Sequence, residues 1–281
     1  MRKIAHMINP VIVGKSSDLF FAQPITFETM KRARQFAAGQ VEVELWTTQN
    51  PEDRALVPDG FKMAPDLDRS VLDVGHFELK RKLPLVKDIL DRLYEASAGA
   101  EYLVFTNSDI ALMPHFYTSV NALIETGYDA LVINRRAISA EYRRPAEIPL
   151  MYAEAGQKHE GHDCFVFRRE VYPQYHLGKI CVGMPFIGRV MVWNLFCFAR
   201  RFKEFKRRHL TFHLGNPVMK WQKGGQADYL AHNKTEMRQV LQQLENACGA
   251  GMVNPMLSAY PLEFDFGLGE MQPDLEAAGV E

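Results

Sequence analysis

The chain has no Cys-x-x-Cys pair: its four cysteines, Cys164, Cys181, Cys197 and Cys248, stand far apart. That excludes zinc knuckles and thioredoxin-like chemistry, and it reads as reduced thiols in a cytosolic protein. No run of about 18 apolar residues occurs, so no membrane span is expected. The opening Met1–Pro10 lacks the long apolar region of a signal peptide and looks instead like a first strand. Together these absences give the expectation of a cytoplasmic protein. A net charge of -1 provides no bulk attraction to nucleic acid. Gly14-Lys15-Ser16 lacks the upstream glycine of a phosphate-binding loop, with Pro10 standing four residues before it. It reads as a flexible loop. No internal repeat of fixed period is visible.

What is present is an ordinary globular composition. The 281 residues, 47% hydrophobic and 24% charged, suffice for one large α/β domain or two small ones. Lys3–Ile8 reads as the first strand and Pro10–Asp18 as a loop. Thr26–Phe36 reads as a helix with Thr26 as its N-cap. Val41–Thr47 alternates as a second strand. Gln49–Asp73, with Pro51, Pro58, Gly60 and Pro65, reads as a long irregular segment. Helices follow over Lys82–Ala96 and His115–Thr126, with a strand over Asp129–Asn134. Arg135–Gly161 reads as polar and irregular at both ends, and Cys164–Phe167 as a short apolar run. Val190–Arg208 reads as a helix, Leu210–Leu214 as a short strand or turn, and Tyr229–Ala247 as a helix. From Gly249 a peripheral tail is expected. Alternation of strand and helix in the first half predicts a mostly parallel twisted sheet with flanking helices, an α/β class of Rossmann-like type.

The chain is organised around Glu101–Pro114. Tyr102–Phe105 reads as a buried central strand that runs into Thr106-Asn107-Ser108-Asp109. Ligands of such sheets sit at the carboxyl ends of the strands. A carboxylate there is costly unless it faces a cleft or holds a cation. Asp109 is therefore either a site residue or an ordinary turn residue. Two downstream stretches place polar, ligand-capable groups beside apolar runs: Gly161-His162-Asp163, and His213-Leu214-Gly215-Asn216.

This pattern of strand, Asn107-Ser108-Asp109, helix and late His213-x-Gly resembles the GT-A-fold glycosyltransferases over residues 1–220. That resemblance implies a nucleotide-binding first half and an Asp-x-Asp motif that binds a divalent metal at the diphosphate of a sugar nucleotide. It implies Asp109 and His213 as metal ligands, with Mn²⁺ or Mg²⁺ as the ion. The imidazole leans toward Mn²⁺. The sequence departs from the motif at its first acid, which is Asn107; an amide still hydrogen-bonds a ribose hydroxyl. Asn9 and Val11 would line the base. Asp163 would contact donor or acceptor, or deprotonate an acceptor hydroxyl. Arg135-Arg136 or Arg168-Arg169 could steer a diphosphate.

On this reading residues 1–248 form one GT-A-like domain. Its 1–134 half binds nucleotide, its 135–248 half takes the acceptor, and 249–281 is a C-terminal tail. The expected reaction moves a sugar from a nucleoside diphosphate sugar to a glycan, lipid-linked or small-molecule hydroxyl, with no nucleic-acid partner. A sugar nucleotidylyltransferase and a non-catalytic nucleotide- or glycan-binding module of the same fold are the alternatives. The aromatic stripe and basic end of Val190–Arg208 have two readings. One is a membrane-surface helix giving peripheral contact through 190–208; the other is a core-packed helix with a basic C-terminal end.

Overall fold

A computed structural model describes residues 1–216 and 226–262. Its strands are β1 (Arg2–Ile8), β2 (Val41–Thr47), β3 (Lys62–Met63), β4 (Tyr102–Thr106), β5 (Ala111–Leu112), β6 (Ala130–Ile138), β7 (Gln157–Arg168), β8 (Phe202–Phe205) and β9 (Thr211–Leu214). Its helices are α1 (Leu19–Phe36), α2 (Val86–Ala96), α3 (Phe116–Glu125), α4 (Ile148–Ala153), α5 (Ile187–Phe198), α6 (Ala227–Cys248) and α7 (Ala250–Ala259). The strands form one sheet in the order β3-β2-β1-β4-β7-β6-β9-β5, and β8 also pairs with β6. The β1–β2, β1–β4, β2–β3, β6–β8 and β6–β9 pairs are parallel. β7 runs antiparallel to both of its neighbours, β4 and β6.

Strand alternation sorts side chains onto two faces. Ala5, Met7, Leu103, Phe105, Val132 and Phe165 pack with α2, α5, α6 and α7 in one core. Ile4, Ile8, Val104, Leu131 and Val166 pack with α1 and α3 in the other. The expected α/β class is the observed one, with helices on both faces of a twisted sheet. Each fully buried aliphatic side chain here contributes roughly 1.5–3 kcal/mol.

Several local expectations are corrected. α1 begins at Leu19 with Asp18 as N-cap, so Thr26 lies inside the helix rather than capping it. Pro24 is carried within the helix. The two ends of Arg135–Gly161, expected to be irregular, are strands: β6 continues to Ile138 and β7 starts at Gln157, with α4 between them. The helix expected over Val190–Arg208 ends at Phe198, and its basic half is the strand β8. α5 is buried along most of its length, so 190–208 presents no amphipathic helix to a membrane. Among the described residues, no helix is long and apolar enough to cross a membrane. Gly249 does not open an irregular tail: α7 buries Val253 and Met256 in the core. Residues 263–281 of the expected tail lie outside the described residues.

Two buried polar groups hold the layers together. His6 of β1 contacts the Tyr117 hydroxyl of α3 at 2.8 Å and Thr106 Oγ1 of β4 at 2.9 Å. Burial pushes its pKa down to about 3, so the ring is neutral at physiological pH. Glu204 of β8 accepts from Asn134 of β6 at 3.0 Å and from the Tyr260 hydroxyl at 3.0 Å, and it meets His162 Nε2 of β7 at 3.1 Å. Burial alone would push the Glu204 carboxyl up, but His162, Asn134 and Tyr260 outweigh it and bring the pKa down to about 2.

Both groups make the fold sensitive to acid, in overlapping windows. His6 is depressed, so its contribution is complete above pH 6.5 and declines as pH falls toward 3, at up to about 1.4 kcal/mol per pH unit. His6→Gln should flatten that part of a urea-derived stability profile. Glu204 contributes fully above pH 4.5 and loses its contribution as pH falls toward about 2. Glu204→Gln should lower stability at neutral pH by about 1–3 kcal/mol and flatten the lower window. Parallel pH profiles of the variants and the unaltered chain would show that neither group is linked to folding.

Candidate functional site

All five residues of β4 are buried, and the strand ends in a turn closed by Ile110 N–H donating to the Asn107 carbonyl at 3.1 Å. Asn107, Ser108 and Asp109 therefore lie at the carboxyl edge of β4. Asp109 does occupy a turn, but its carboxylate reaches out of it: Oδ2 lies 3.3 Å from His213 Nε2, across 104 residues of sequence. Antiparallel pairing of β5 with β9 makes the approach, setting Ala111 opposite Phe212 just inside the two residues.

The ring of His213 is oriented from behind. Its Nδ1 lies 3.0 Å from the Gly215 carbonyl, which can only accept, so Nδ1 carries a proton. Nε2 can then face a carboxylate only as a second N–H or across a cation. Burial pushes the His213 pKa down, but Asp109 outweighs it and holds the ring above the usual histidine range. Burial likewise pushes the Asp109 carboxyl up; His213, helped by the Arg135 charge, holds it below the usual range. Gly215 serves this geometry. Its φ of +73° is the left-handed region, and an added Cβ would lie 2.9 Å from the Ala140 Cβ.

A second cluster lies alongside. β7 sets Cys164 opposite Thr106, which puts Asp163 next to Asn107. Asn107 Nδ2 donates to Asp163 Oδ1 at 3.3 Å, and Arg135 Nη1 donates to Asp163 Oδ2. Arg135 Nη2 also lies 3.3 Å from His159 Nε2. Between Val132 and Arg136 the β6–β7 register shifts twice: two steps of β6 face three of β7, then two face four. The extra β7 residues bulge at His159–Gly161, and bulges of this kind re-aim side chains. Gly161 has no room for a side chain: an added Cβ would lie 2.7 Å from the His159 ring and 2.9 Å from Asp163 Oδ2.

The first-strand loop sits at the same edge, since β1 and β4 are parallel neighbours. Asn9 Nδ2 donates to the Thr48 carbonyl at 2.7 Å, which leaves its amide oxygen for other partners. Both main-chain polar groups of Val11 are taken by the Gln23 side chain, at 2.9 and 2.8 Å. Val11 therefore offers a ligand only its side chain.

Other expected groups lie elsewhere. Arg136 donates to the Gly156 carbonyl at 2.8 Å. Arg168 lies opposite Tyr102, at the far end of β4, and pairs with Glu170 at 3.0 Å. Arg169 stacks on Tyr94 with its guanidinium carbon 3.9 Å from the ring centroid. No motif marks His159 or Glu204, and Arg135 makes more contacts here than a pair of adjacent arginines implies. A signal for Arg135 was available: it is a charged residue between the apolar runs Ala130–Ile133 and Ala137–Ile138, all of them buried. Two clefts, of about 540 and 560 Å³, lie away from this edge, against Arg168 and Arg200 in one case and His115 and Arg207 in the other. Neither is lined by Asp109, Asp163 or His213. Among the described residues, no group of three or more His, Cys, Asp or Glu is placed to hold a metal ion.

No protein-family model and no curated protein matches the chain. Among solved structures, it is similar to TarS of S. aureus. TarS 1-349 in complex with UDP-GlcNAc gives a TM-score of 0.51 at 9% identity, covering 91% of this chain and 73% of that one. TarS 1-349 without that ligand gives 0.51 at 10% identity, covering 91% of this chain and 72% of that one. The longer TarS structure gives 0.52 at 10% identity, covering 92% of this chain but only 42% of that one. At this level of identity the likeness is one of fold, and it shows the chain to have the curled, helix-flanked mixed sheet of a GT-A-like fold.

Proposed function

We propose that this chain is a glycosyltransferase that moves a sugar from a nucleoside diphosphate sugar to a hydroxyl acceptor. The observation that carries this reading is the 3.3 Å approach of the Asp109 carboxylate to the His213 imidazole, at the strand edge where α/β sheets bind ligands. The fold it shares with a protein that binds UDP-GlcNAc supports the donor class.

Asp109 Oδ2 and His213 Nε2 form two corners of a divalent-ion site, with the ring held by a backbone carbonyl as metal-binding histidines commonly are. Mn²⁺ or Mg²⁺ bound there would neutralise charge that develops on the departing diphosphate, and the mixed oxygen and nitrogen donors suit Mn²⁺. The pair supplies too few ligands for a closed site, which leaves positions for phosphate oxygens.

The remaining roles follow from which lone pairs are free. Asn107 spends a side-chain N–H on Asp163 and keeps its side-chain amide oxygen to accept from a ribose hydroxyl. Asn9 offers its amide oxygen, and Val11 its side chain, to the base. Asp163 pairs with Arg135 and positions a sugar or acceptor hydroxyl. In the transfer, the acceptor oxygen bonds to the anomeric carbon, the bond to the diphosphate breaks with its electron pair, and the hydroxyl proton passes to a base. Asp163 is the carboxylate we assign to that proton.

Donor hydrolysis tests the proposal. With Mn²⁺ present, the chain should slowly release nucleoside diphosphate from a member of a sugar-nucleotide panel. Asp109→Ala and His213→Ala should each lower that rate on the order of 10²-fold while circular dichroism stays native. Binding without turnover across the whole panel would point to a nucleotide-binding module and sink the enzyme reading.

A further inference from the structure

The register shifts of β7 leave one polar contact that cannot be a hydrogen bond. Gly161 N–H donates to His159 Nδ1 at 2.8 Å. In a neutral imidazole that makes Nδ1 the acceptor and puts the proton on Nε2. Burial and the neighbouring Arg135 charge both hold the ring below the usual histidine range, so it stays neutral. Yet Nε2 faces Arg135 Nη2 at 3.3 Å, and a guanidinium nitrogen can only donate. Two N–H groups are thus directed at each other.

Arg135 is short of acceptors in a second respect. The residue is 8% exposed, and its buried Nε has no hydrogen-bond partner among the described residues. Asp163 satisfies only Nη1. An orphaned donor on a buried guanidinium costs about 1–3 kcal/mol or more. A single anionic oxygen set beside the pair would accept from Arg135 Nη2 and His159 Nε2 together and remove the conflict. His159 is only half-buried, so the position opens toward solvent. The Arg135 charge acts on both Asp109 and His213, which places this donor pair in the same electrostatic neighbourhood.

We propose that Arg135 Nη2 and His159 Nε2 form an oxyanion receptor for the terminal phosphate of a nucleoside diphosphate. The inference rests on the nucleotide-sugar reading above and deepens it. A fixed guanidinium and a neutral ring N–H share the charge of the leaving group with any cation at Asp109 and His213. Diphosphate recognition then persists in part without a metal. The same pair also accounts for Gly161, whose missing side chain lets the His159 ring fold back onto its own backbone.

The test compares binding of UDP, GDP, ADP and CDP with the matching monophosphates by thermal shift, in Mn²⁺ and again in EDTA. The unaltered chain should prefer one diphosphate over its monophosphate under both conditions. His159→Leu leaves the Arg135–Asp163 pair in place and should cut that preference about tenfold, with monophosphate binding unchanged. The double variant Arg135→Met/Asp163→Asn removes both charges together, which avoids stranding a buried carboxylate, and should cut it by up to about 100-fold. No diphosphate preference in EDTA overturns the inference, as does a preference that survives in His159→Leu; nucleotide binding in Mn²⁺ would then leave the broader reading standing. Failure to bind any nucleotide in either condition would overturn both.

Discussion

The antiparallel insertion of β7 between β4 and β6 is the constraint on which the site depends. In a wholly parallel sheet the carboxyl edges of β4 and β6 would be bridged by the end of a third strand. Here the amino-terminal half of β7 lies at that edge instead. Its Asp163 falls beside Asn107, its His162 opposite Asn134, and its His159 against Arg135. The register shifts add length to β7 where these contacts are made, so three polar side chains reach the edge from a strand that is apolar below it.

Charge at this edge is arranged in pairs. Arg135 faces Asp163, Asp109 faces His213, and Glu204 anchors His162 from below. In a partly dry setting an unpaired ion is far more expensive than a paired one. Each pair is therefore stable before any ligand arrives, yet each keeps something in reserve. His213 can exchange a proton for a cation, and Arg135 keeps N–H groups without acceptors. On the proposed reading, a site made this way is assembled by folding and completed by an anion.

The parts legible in the sequence were those where burial speaks through apolar runs. Tyr102–Phe105 announced itself because a strand covered on both faces is continuously hydrophobic, and Val41–Thr47 because apolar and polar residues alternate along it. The apolar runs beside Asp109 and His213 marked each as a candidate, and it was the resemblance to GT-A-fold enzymes that implied they would meet. The rest was hidden where that rule fails. β6 runs on through Asn134, Arg135 and Arg136, which looks like a strand end but is a strand lining polar contacts. Phe202–Phe205 carried on the aromatic spacing of the preceding helix, and only its parallel pairing with β6 makes it a strand. The donor conflict at His159 depends on two ring nitrogens and a two-residue backbone loop, and no spacing rule reports it.

The bond from Trp193 has an optical consequence. Its fully buried indole N–H donates to the Tyr260 carbonyl at 2.9 Å, and the hydroxyl of that tyrosine donates to Glu204 at 3.0 Å. Glu204 in turn meets His162, next to Asp163. An indole is a fluorophore whose emission moves to the red when its surroundings become wet. Undocking of the last turn of α7 would expose this one, while Trp46 lies partly exposed on β2, next to the edge strand β3. The molecule thus contains its own spectroscopic gauge of whether the scaffold behind the edge is assembled.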